Sequence, residues 1–421
     1  MPDEGNLDLG FARALGCIKT EAPAQLILDA LPLKSIGRSM GGGGSCLVCG
    51  ESSRPVARAL GVCLDCIRER PEEAMPFIRR AHEEAKKRHG LPDQPPRAEG
   101  GVPCNLCSNH CIIGDGEQGF CGLRWNEGGL RSRASRDEGL YYSYKDPHVT
   151  NCCAAWFCPA GTGAGYPKFA YRDGPERGYS NLAVFMYGCN FDCLFCQNPS
   201  HKDLTAKPLP KHDIANRVRS DRRISCVCYF GGSPEPQLSF ILDASKEAIE
   251  ARRGGPLRIC FEWNGCGHPS LAKRAAEMSL ATGGNVKFDL KCFTPELSLA
   301  LSGVPNERAY RNFEMVAREI YPERRDLPVL TATTLLVPGY VDPAEVESIA
   351  SFIADLDPSI PYGLLAFHPA YLMKDMPHTS LRQAVECYRA ARRHLERVHV
   401  GNLHILGLWS MSQFISAVGK L

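Results

Sequence analysis

Hydrophobic and polar positions change their pattern near residue 181. From there onward, short apolar runs rich in β-branched and aromatic residues alternate with stretches whose apolar positions recur every three to four residues. Such alternation predicts strands followed by helices, which build a parallel sheet from βα units. The predicted strands are NLAVFMYG, ISCVCYFGG, LRICFEWNG, VKFDLK, LPVLTATTLLVPG and PYGLLAFHP, with a short seventh at VHVGN. The expected fold class is α/β, with a partial or complete (β/α) barrel of about six βα units over residues 181–421.

Three segments with other patterns precede this region. Residues 1–44 show a helical pattern and end in a run of glycines. Residues 45–100 carry four cysteines, then a charged helix that should stop at Gly90, then a proline-rich linker. Residues 101–180 are rich in cysteine and glycine and have little periodicity. We therefore expect a helical segment, a small four-cysteine module resembling a zinc ribbon, and a Cys/Gly-rich segment ahead of the barrel.

Composition indicates the class of protein and the cellular compartment. The chain has 421 residues, 44% hydrophobic and 23% charged, with a formal net charge of +2, as in ordinary globular proteins. No apolar run is long enough to suggest a membrane span, and the acidic start lacks the features of a signal peptide, so a cytoplasmic protein without membrane contact is expected. Twenty-one cysteines are unusual there. Because cytosolic thiols stay reduced, clustered cysteines indicate metal binding.

The cysteines most informative about function are Cys189, Cys193 and Cys196, a C-x3-C-x2-C triplet directly after the first predicted barrel strand. A loop at the carboxyl end of a barrel strand faces the barrel mouth, where three thiolates can hold three irons of a [4Fe–4S] cluster. The fourth iron would remain open to the amino and carboxylate groups of S-adenosylmethionine (SAM). One electron could then break the C5′–S bond and release a 5′-deoxyadenosyl radical. The alternative is a zinc site or three incidental cysteines, with His201 as the nearest further ligand.

With Phe195 before its last cysteine, the triplet is similar to the signature of the radical SAM superfamily. Over about residues 104–405 the chain resembles the branch of pyruvate formate-lyase activating enzymes and their uncharacterised archaeal and bacterial relatives. The strand ends FGGSPEP, EWNG and DLK resemble that family's SAM-contacting GGEP, TNG and DxK segments, although Ser233 departs from the pattern. LVPGY, FHPAY and VGN resemble later family segments.

That resemblance implies a set of SAM-contacting residues at the strand ends: Gly231, Gly232, Glu235, Glu262, Asn264, Asp289 and Lys291. Structural polar pairs are the competing interpretation of Glu262 with Asn264 and of Asp289 with Lys291. His368 is the candidate catalytic acid or base, or else a hydrogen-bonded core histidine. The family also implies a reductant such as flavodoxin or ferredoxin.

The remaining clustered cysteines fall into two groups. Cys46, Cys49, Cys63 and Cys66 form two C-x2-C pairs, which predict a tetrahedral zinc site, with rubredoxin-like iron as the alternative. Cys104, Cys107, Cys111 and Cys121 suit an auxiliary [4Fe–4S] cluster or a second zinc, and Cys152, Cys153 and Cys158 could exchange with or extend this set. Most scattered cysteines are interpreted as small buried hydrophobes. Among them, Cys266 is the candidate reactive thiol.

Three functions are compatible with these patterns. The first is an activating-type enzyme that abstracts hydrogen from a protein or peptide. The second is radical modification of RNA or a small metabolite, with the four-cysteine module docking the substrate. For RNA, the relevant basic residues are Arg68, Arg70, Arg79, Arg80, Lys86, Lys87 and Arg88, although a solvated helix face also explains them. The third is a non-enzymatic Fe–S or zinc partner protein, which the triplet and the SAM-like strand ends disfavour.

Overall fold

The structure, a computed structural model, describes residues 44–150 and 152–420. The helical segment predicted within residues 1–44 therefore lies outside the described residues, Gly44 excepted. None of the described helices is both long and apolar enough to cross a lipid bilayer.

The N-terminal part of the described chain contains short elements around the clustered cysteines. In chain order they are α1 Leu64–Glu69, α2 Pro71–Lys87, β1 Val102–Pro103, β2 Ile112–Ile113, β3 Arg124–Asn126, β4 Leu130–Ser132, β5 Glu138–Gly139, β6 Tyr141–Pro147 and α3 Pro159–Thr162. Helix α2 is the predicted charged helix. It starts at a proline, which suits a first helical turn because the N–H it lacks would have had no partner there.

Strands and helices then alternate as the hydrophobic pattern predicts. They are β7 Ser180–Met186, β8 Leu209–Pro210, α4 His212–Ser220, β9 Ile224–Gly231, α5 Leu238–Ala251, β10 Arg258–Trp263, α6 Pro269–Thr282, β11 Val286–Asp289, α7 Pro295–Ser302, α8 Glu307–Glu319, β12 Leu330–Leu336, α9 Pro343–Leu356, β13 Tyr362–Ala366, α10 Leu381–Arg392, β14 Val398–Gly401 and α11 Met411–Val418. All seven strands predicted from the sequence are present.

Eight strands form one sheet in the order β14-β13-β12-β11-β10-β9-β7-β6. The seven strands from β7 onward pair in parallel, whereas β6 pairs antiparallel with β7. Strand β6 comes from the Cys/Gly-rich segment, where no strand was predicted. Within the described residues β14 and β6 are the two edges of the sheet and do not pair with each other. The sheet is therefore open, and the prediction of a complete barrel is not confirmed.

The two faces of the central strands differ in chemistry, because successive side chains of a strand point to opposite faces. One face is apolar and packs on the helices: the Ser245 hydroxyl of α5 donates to the Tyr229 hydroxyl at 2.8 Å, and the Phe288 ring lies 5.3 Å from that of Phe313 in α8. The other face of β9 and β10 carries thiols and charged groups: Cys226, Cys228, Arg258, Cys260 and Glu262. The apolar core therefore lies between the sheet and its helices, and the inner face is available for chemistry.

Candidate active site and metal centres

The three predicted cluster ligands lie on the loop that follows β7, at the carboxyl end of that strand. Cys189 is buried, whereas Cys193 and Cys196 are partly exposed. The Cys193 thiol donates to Ser302 Oγ at 3.4 Å, and Cys196 Sγ lies 3.6 Å from His201 Nε2. In the part of the chain that the structure describes, the triplet and His201 do not form a set of ligand atoms mutually within 4.8 Å. The loop is therefore not a preformed four-ligand site for a single ion.

Backbone hydrogen bonds hold this loop against neighbouring elements. The N–H of Asp192 donates to the carbonyl of Ser302 at 2.8 Å, and the N–H of Leu194 donates to that of Leu301 at 3.0 Å. The carbonyl of Leu194 in turn accepts from the N–H of Leu372 at 3.0 Å. The loop is thus fixed to the end of α7 and to the FHPAY segment that resembles a family motif.

A buried ion-pair cluster lies beneath the same loop. Asp192 is fully buried, its carboxylate lies 2.9 Å from His82 Nδ1, and its other oxygen accepts from the Lys202 ammonium. Although burial opposes ionisation, the His82 hydrogen bond and the Lys202 charge hold the pKa of Asp192 below its ordinary value. The Lys202 ammonium also stands 4.7 Å from the centre of the Tyr371 ring. Helix α2, which carries His82, thereby contacts the triplet loop directly.

Two glycines allow the end of β9 to approach this loop. A Cβ at Gly232 would lie 2.4 Å from the Gly188 carbonyl oxygen, and Gly231 has a φ of +105°, a left-handed conformation that side chains disfavour. The backbone of the GGSPEP segment can therefore pack against the residue that precedes Cys189.

Polar side chains extend this contact. Asn264 donates to Asn190 Oδ1 at 2.8 Å and to Ser233 Oγ at 2.9 Å, and Glu235 accepts from the Gly265 N–H at 2.7 Å. Burial raises the pKa of Glu235 to about 7. The structure thus places Gly231, Gly232, Glu235 and Asn264 beside the triplet loop.

The other predicted SAM contacts divide between two places. Lys291 donates to Asp289 at 2.5 Å, and its ammonium lies 5.5 Å from the centre of the Phe195 ring on the triplet loop. Burial works against its charge, but the negative charge of Asp289 beside it raises the pKa of Lys291. Glu262 instead has Lys287 at 3.2 Å as its ion-pair partner, on the inner face of the sheet.

His368 is exposed at the end of β13, and its ring lies edge-on to His378 at 5.0 Å. Its acid–base role stays a prediction. Cys266, the candidate reactive thiol, is fully buried, and burial raises its pKa to about 12. Since the thiolate is the nucleophile, the interpretation of Cys266 as reactive is not supported.

The cysteines of the N-terminal four-cysteine module converge on one point. Their sulfur atoms lie within 4.8 Å of one another, with Cys46 and Cys66 3.8 Å apart and Cys49 and Cys63 3.7 Å apart. A tetrahedral site with Zn–S bonds of about 2.3 Å requires S···S distances of about 3.8 Å. Burial opposes ionisation, but hydrogen bonds from the backbone of Cys49, Cys63 and residue 48 lower the pKa of Cys46 to about 6. The donor set therefore fits a tetrahedral metal ion.

This module packs against the LVPGY segment after β12. The Tyr340 hydroxyl accepts from the Ala57 N–H and donates to the Val62 carbonyl, both at 3.0 Å. A Cβ at Gly339 would lie 2.2 Å from the Pro55 carbonyl oxygen, so only glycine permits this approach. The family-like segment that ends β12 is thus the docking surface of the four-cysteine module.

Three basic residues in or just after the module bind other groups of the protein, and one of them takes part in the same contact. Arg68 binds Asp342 at 2.9 Å and Glu345 at 2.7 Å, and Asp342 also caps α9 by accepting from the Glu345 N–H. Arg70 pairs with Glu73, and the buried Lys86 ammonium donates to the carbonyl of residue 120 at 2.7 Å. Three of the seven basic residues considered for RNA binding therefore have partners within the protein.

The second cysteine group lines a single cavity. Cys104, Cys107, Cys111 and Cys121 surround it with Arg124 and Pro236. The N–H of Cys104 donates to the Cys111 carbonyl at 2.7 Å, which closes the β1–β2 hairpin between the ligand pairs. Four thiols facing one space suit an iron–sulfur cluster or a metal ion.

This second group adjoins the triplet loop. The Asn109 side chain, which lies between Cys107 and Cys111, donates to the Asn190 carbonyl at 2.8 Å. Asn190 directly follows Cys189, so one hydrogen bond joins the two cysteine-bearing segments.

Cys152 and Cys158 lie elsewhere. They face the inner side of the sheet, in a second cavity with Cys226, Cys228 and Cys260. Sequence reasoning missed this group. The alternation of ISCVCY and RICFEW indicates that the thiols and charges of each strand share one face, but it does not show which thiols become neighbours.

Comparison with known proteins agrees with the site. Residues 183–353 match the family model of the radical SAM superfamily, so this part of the chain is a radical SAM domain. An uncharacterised protein of Methanocaldococcus jannaschii is 26% identical over 313 residues, which are 72% of this chain and 81% of that protein. Another protein of that archaeon, described as a candidate glycyl-radical enzyme activating enzyme, is 22% identical over 55% of this chain and 92% of its own length.

A third relative is the isethionate sulfite-lyase activating enzyme of Desulfovibrio desulfuricans, which is 36% identical over 140 residues, or 33% of this chain and 40% of that enzyme. Among solved structures, Streptococcus suis SuiB bound to the precursor peptide SuiA aligns with a TM-score of 0.40 at 15% identity. That alignment covers 52% of this chain and 48% of SuiB, so this chain spans about half the length of that protein.

Proposed function

We propose that this protein is a radical SAM enzyme of the activating-enzyme type, which abstracts a hydrogen atom from a protein or peptide. The observation that carries the proposal is the triplet loop, which presents three thiols at the carboxyl end of β7 beside Gly232, Asn264 and Lys291. When bound, the [4Fe–4S] cluster supplies the electron that cleaves SAM to methionine and the 5′-deoxyadenosyl radical.

The chain's own residues would bind and orient SAM. The backbone at Gly231 and Gly232 is bare of side chains and can approach a ligand closely. The Lys291 ammonium is a suitable partner for the SAM carboxylate, and Asp289 holds it in place. Glu235 and Asn264 position the loops around them. Glu262 would act from the inner face of the sheet.

A polypeptide substrate is supported by the relatives rather than by a contact in this chain. Two of them are described as activating enzymes, whose names imply that they act on another enzyme. An open sheet that curves as a partial barrel would leave a lateral entrance for such a chain. The engagement of Arg68, Arg70 and Lys86 within the protein makes the RNA alternative weaker.

The remaining cysteine groups have supporting roles in this proposal. The Cys104–Cys121 group would hold an auxiliary [4Fe–4S] cluster that receives electrons from flavodoxin or ferredoxin, and the Asn109–Asn190 hydrogen bond gives a short path to the triplet loop. The four-cysteine module would hold zinc. Cys46→Ser should lower the zinc content from about one per chain to well below that value, measured by plasma mass spectrometry. An unchanged zinc content would contradict this assignment.

Anaerobic turnover tests the radical chemistry. Reconstituted protein with dithionite and SAM should release 5′-deoxyadenosine and methionine, measured by liquid chromatography with mass spectrometry. Cys193→Ala should abolish the product, whereas Cys387→Ala, which removes a buried thiol on α10, should retain it. Equal product from both variants would refute the proposal.

The substrate class can be tested separately. The enzyme is incubated with a lysate of its native cells grown in deuterated medium, and deuterium in 5′-deoxyadenosine is measured. Prior protease treatment should remove the transfer, and nuclease treatment should leave it unchanged. Transfer that survives protease would point to a metabolite or RNA substrate instead.

A further inference from the structure

A second convergence of thiols lies on the inner face of the sheet, away from the triplet loop and the Cys104–Cys121 cavity. Cys228 on β9 and Cys260 on β10 are direct neighbours across the parallel ladder, and both are at least nine-tenths buried. The segment after β6 brings Cys152 and Cys158 over them from the other side. Four thiols from two strands and one loop therefore line a common cavity.

A buried ammonium lies beside these thiols, as is expected if some of them are negatively charged thiolates. Lys287 is fully buried, and its ammonium lies 3.0 Å from Cys152 Sγ and 3.3 Å from Cys228 Sγ. Burying an ammonium is costly unless negative groups are near, and Glu262 at 3.2 Å is partly exposed. Two thiolates held by a metal would compensate the Lys287 charge without solvent.

An unpartnered polar atom also points into this space. Asn285 is 2% exposed, lines the cavity, and its side-chain oxygen has no hydrogen-bond partner. Leaving a buried amide oxygen without a hydrogen-bond partner is unfavourable, so an occupant that supplies a donor is expected. Because thiolate and sulfide ligands carry no proton to donate, a water molecule retained beside the cluster would supply this donor.

The spacing of the thiols favours a polynuclear centre. In the described residues, the four-cysteine module is the one place where three or more ligand atoms lie mutually within 4.8 Å. The inner-face thiols are therefore spread more widely than the ligands of a single zinc ion. In an iron–sulfur cluster each thiolate can bind a different iron, so the four sulfurs need not lie as close together as the ligands of one ion.

A fifth thiol at the cavity has its own partners. Cys226 Sγ lies 3.3 Å from Asn181 Oδ1 and 3.5 Å from His148 Nε2. These contacts satisfy it as an ordinary buried thiol. The four ligand candidates are therefore the two strand cysteines and the two loop cysteines.

We propose that Cys152, Cys158, Cys228 and Cys260 hold a further iron–sulfur cluster on the inner face of the sheet, next to the Lys287 ammonium. The site is distinct from the two clusters of the proposed function and does not depend on SAM cleavage. It also assigns Cys152 and Cys158 to the strand cysteines rather than to the Cys104–Cys121 group.

Metal analysis in a background without the triplet tests this proposal. Cys189, Cys193 and Cys196 are changed to Ala in the full-length chain, which is then reconstituted anaerobically with iron and sulfide. Adding Cys228→Ser with Cys260→Ser should remove about two to four irons per chain, with an equal amount of acid-labile sulfide. The matched control is Cys387→Ser, which changes a buried thiol that does not line the cavity and should remove none.

A second double substitution, in the loop, shows whether iron is lost because ligands are removed or because the strand variant misfolds. Cys152→Ser with Cys158→Ser leaves the sheet unchanged and should remove the same amount of iron and the same component of the reduced electron paramagnetic resonance spectrum. Retained zinc at the four-cysteine module reports that each variant is folded. The proposal is overturned by any other pattern: iron equal to the control, loss in only one pair, or loss of zinc in place of iron.

Discussion

Replacing Asp192 by Asn tests whether the buried ion pairs fix the triplet loop. The substitution keeps the shape of the side chain but removes its charge, which leaves the Lys202 ammonium buried beside a neutral amide. Removing one partner of a buried ion pair costs about 3–5 kcal/mol, because the other charge stays desolvated. The loop should therefore open about 100- to 4,000-fold more often, at tenfold for each 1.4 kcal/mol.

Hydrogen–deuterium exchange of the apo protein measures this opening. The N–H groups of Asp192 and Leu194 are bonded to α7, so peptides that cover residues 189–196 report on it directly. Asp203→Asn is the matched control, because Asp203 also pairs with a histidine but is 57% exposed, where an ion pair contributes about 0–1 kcal/mol. Exchange that is equally fast in both variants would refute the argument from burial.

Three further predictions follow from close contacts and from charge. Gly232→Ala should push the Gly188 carbonyl and reduce 5′-deoxyadenosine formation about 100-fold, because small displacements of reacting groups are that costly. Glu176→Gln should lower the free energy of unfolding by about 3–5 kcal/mol in chemical denaturation, since its pair with Arg258 is buried on both sides. Burial lowers the pKa of His399 to about 4, so between pH 6.5 and 4 the imidazole binds a proton in the unfolded chain but not in the folded protein. The free energy of unfolding should therefore fall as pH falls through that window. His399→Asn should remove this contribution when unfolding is measured as a function of pH.

Each of these changes has a control in the same chain. Gly419→Ala adds a Cβ in ordinary contact and should leave product formation intact. Glu347→Gln breaks an exposed pair and should lower the free energy of unfolding much less than Glu176→Gln does. His404→Asn changes an exposed histidine and should not alter the acid transition. Equal effects in a variant and its control would contradict the corresponding reasoning.

The parallel sheet could be predicted because its strands are short apolar runs separated by helices with a clear periodicity. Strand β6 could not, because it is an edge strand whose side chains, such as Tyr142 and Tyr144, are largely exposed. An exposed edge strand lacks the alternation that a half-buried strand shows. The edge at β6 is set by pairing with β7, which is a tertiary interaction.

The candidate site, like the fold, could be predicted from the sequence only in part. The triplet and the two C-x2-C pairs of the four-cysteine module are local in sequence, so their spacing alone indicated their chemistry. The inner-face thiols come from β9, β10 and a distant loop, and only the sheet register brings Cys228 beside Cys260. Glu262 shows the same limit, since its pairing with Lys287 depends on the neighbouring strand rather than on the motif that contains it.

The position of α2 connects metal binding by the four-cysteine module with the support of the triplet loop. This helix begins just after the last cysteine of the four-cysteine module, and its His82 reaches the carboxylate between the first two cysteines of the triplet. A nascent chain that has not yet bound the proposed zinc would therefore lack one of the supports beneath the triplet loop. On the proposed function, zinc binding is expected to precede stable insertion of the iron–sulfur cluster at the triplet, so zinc starvation should yield protein that is poor in iron as well.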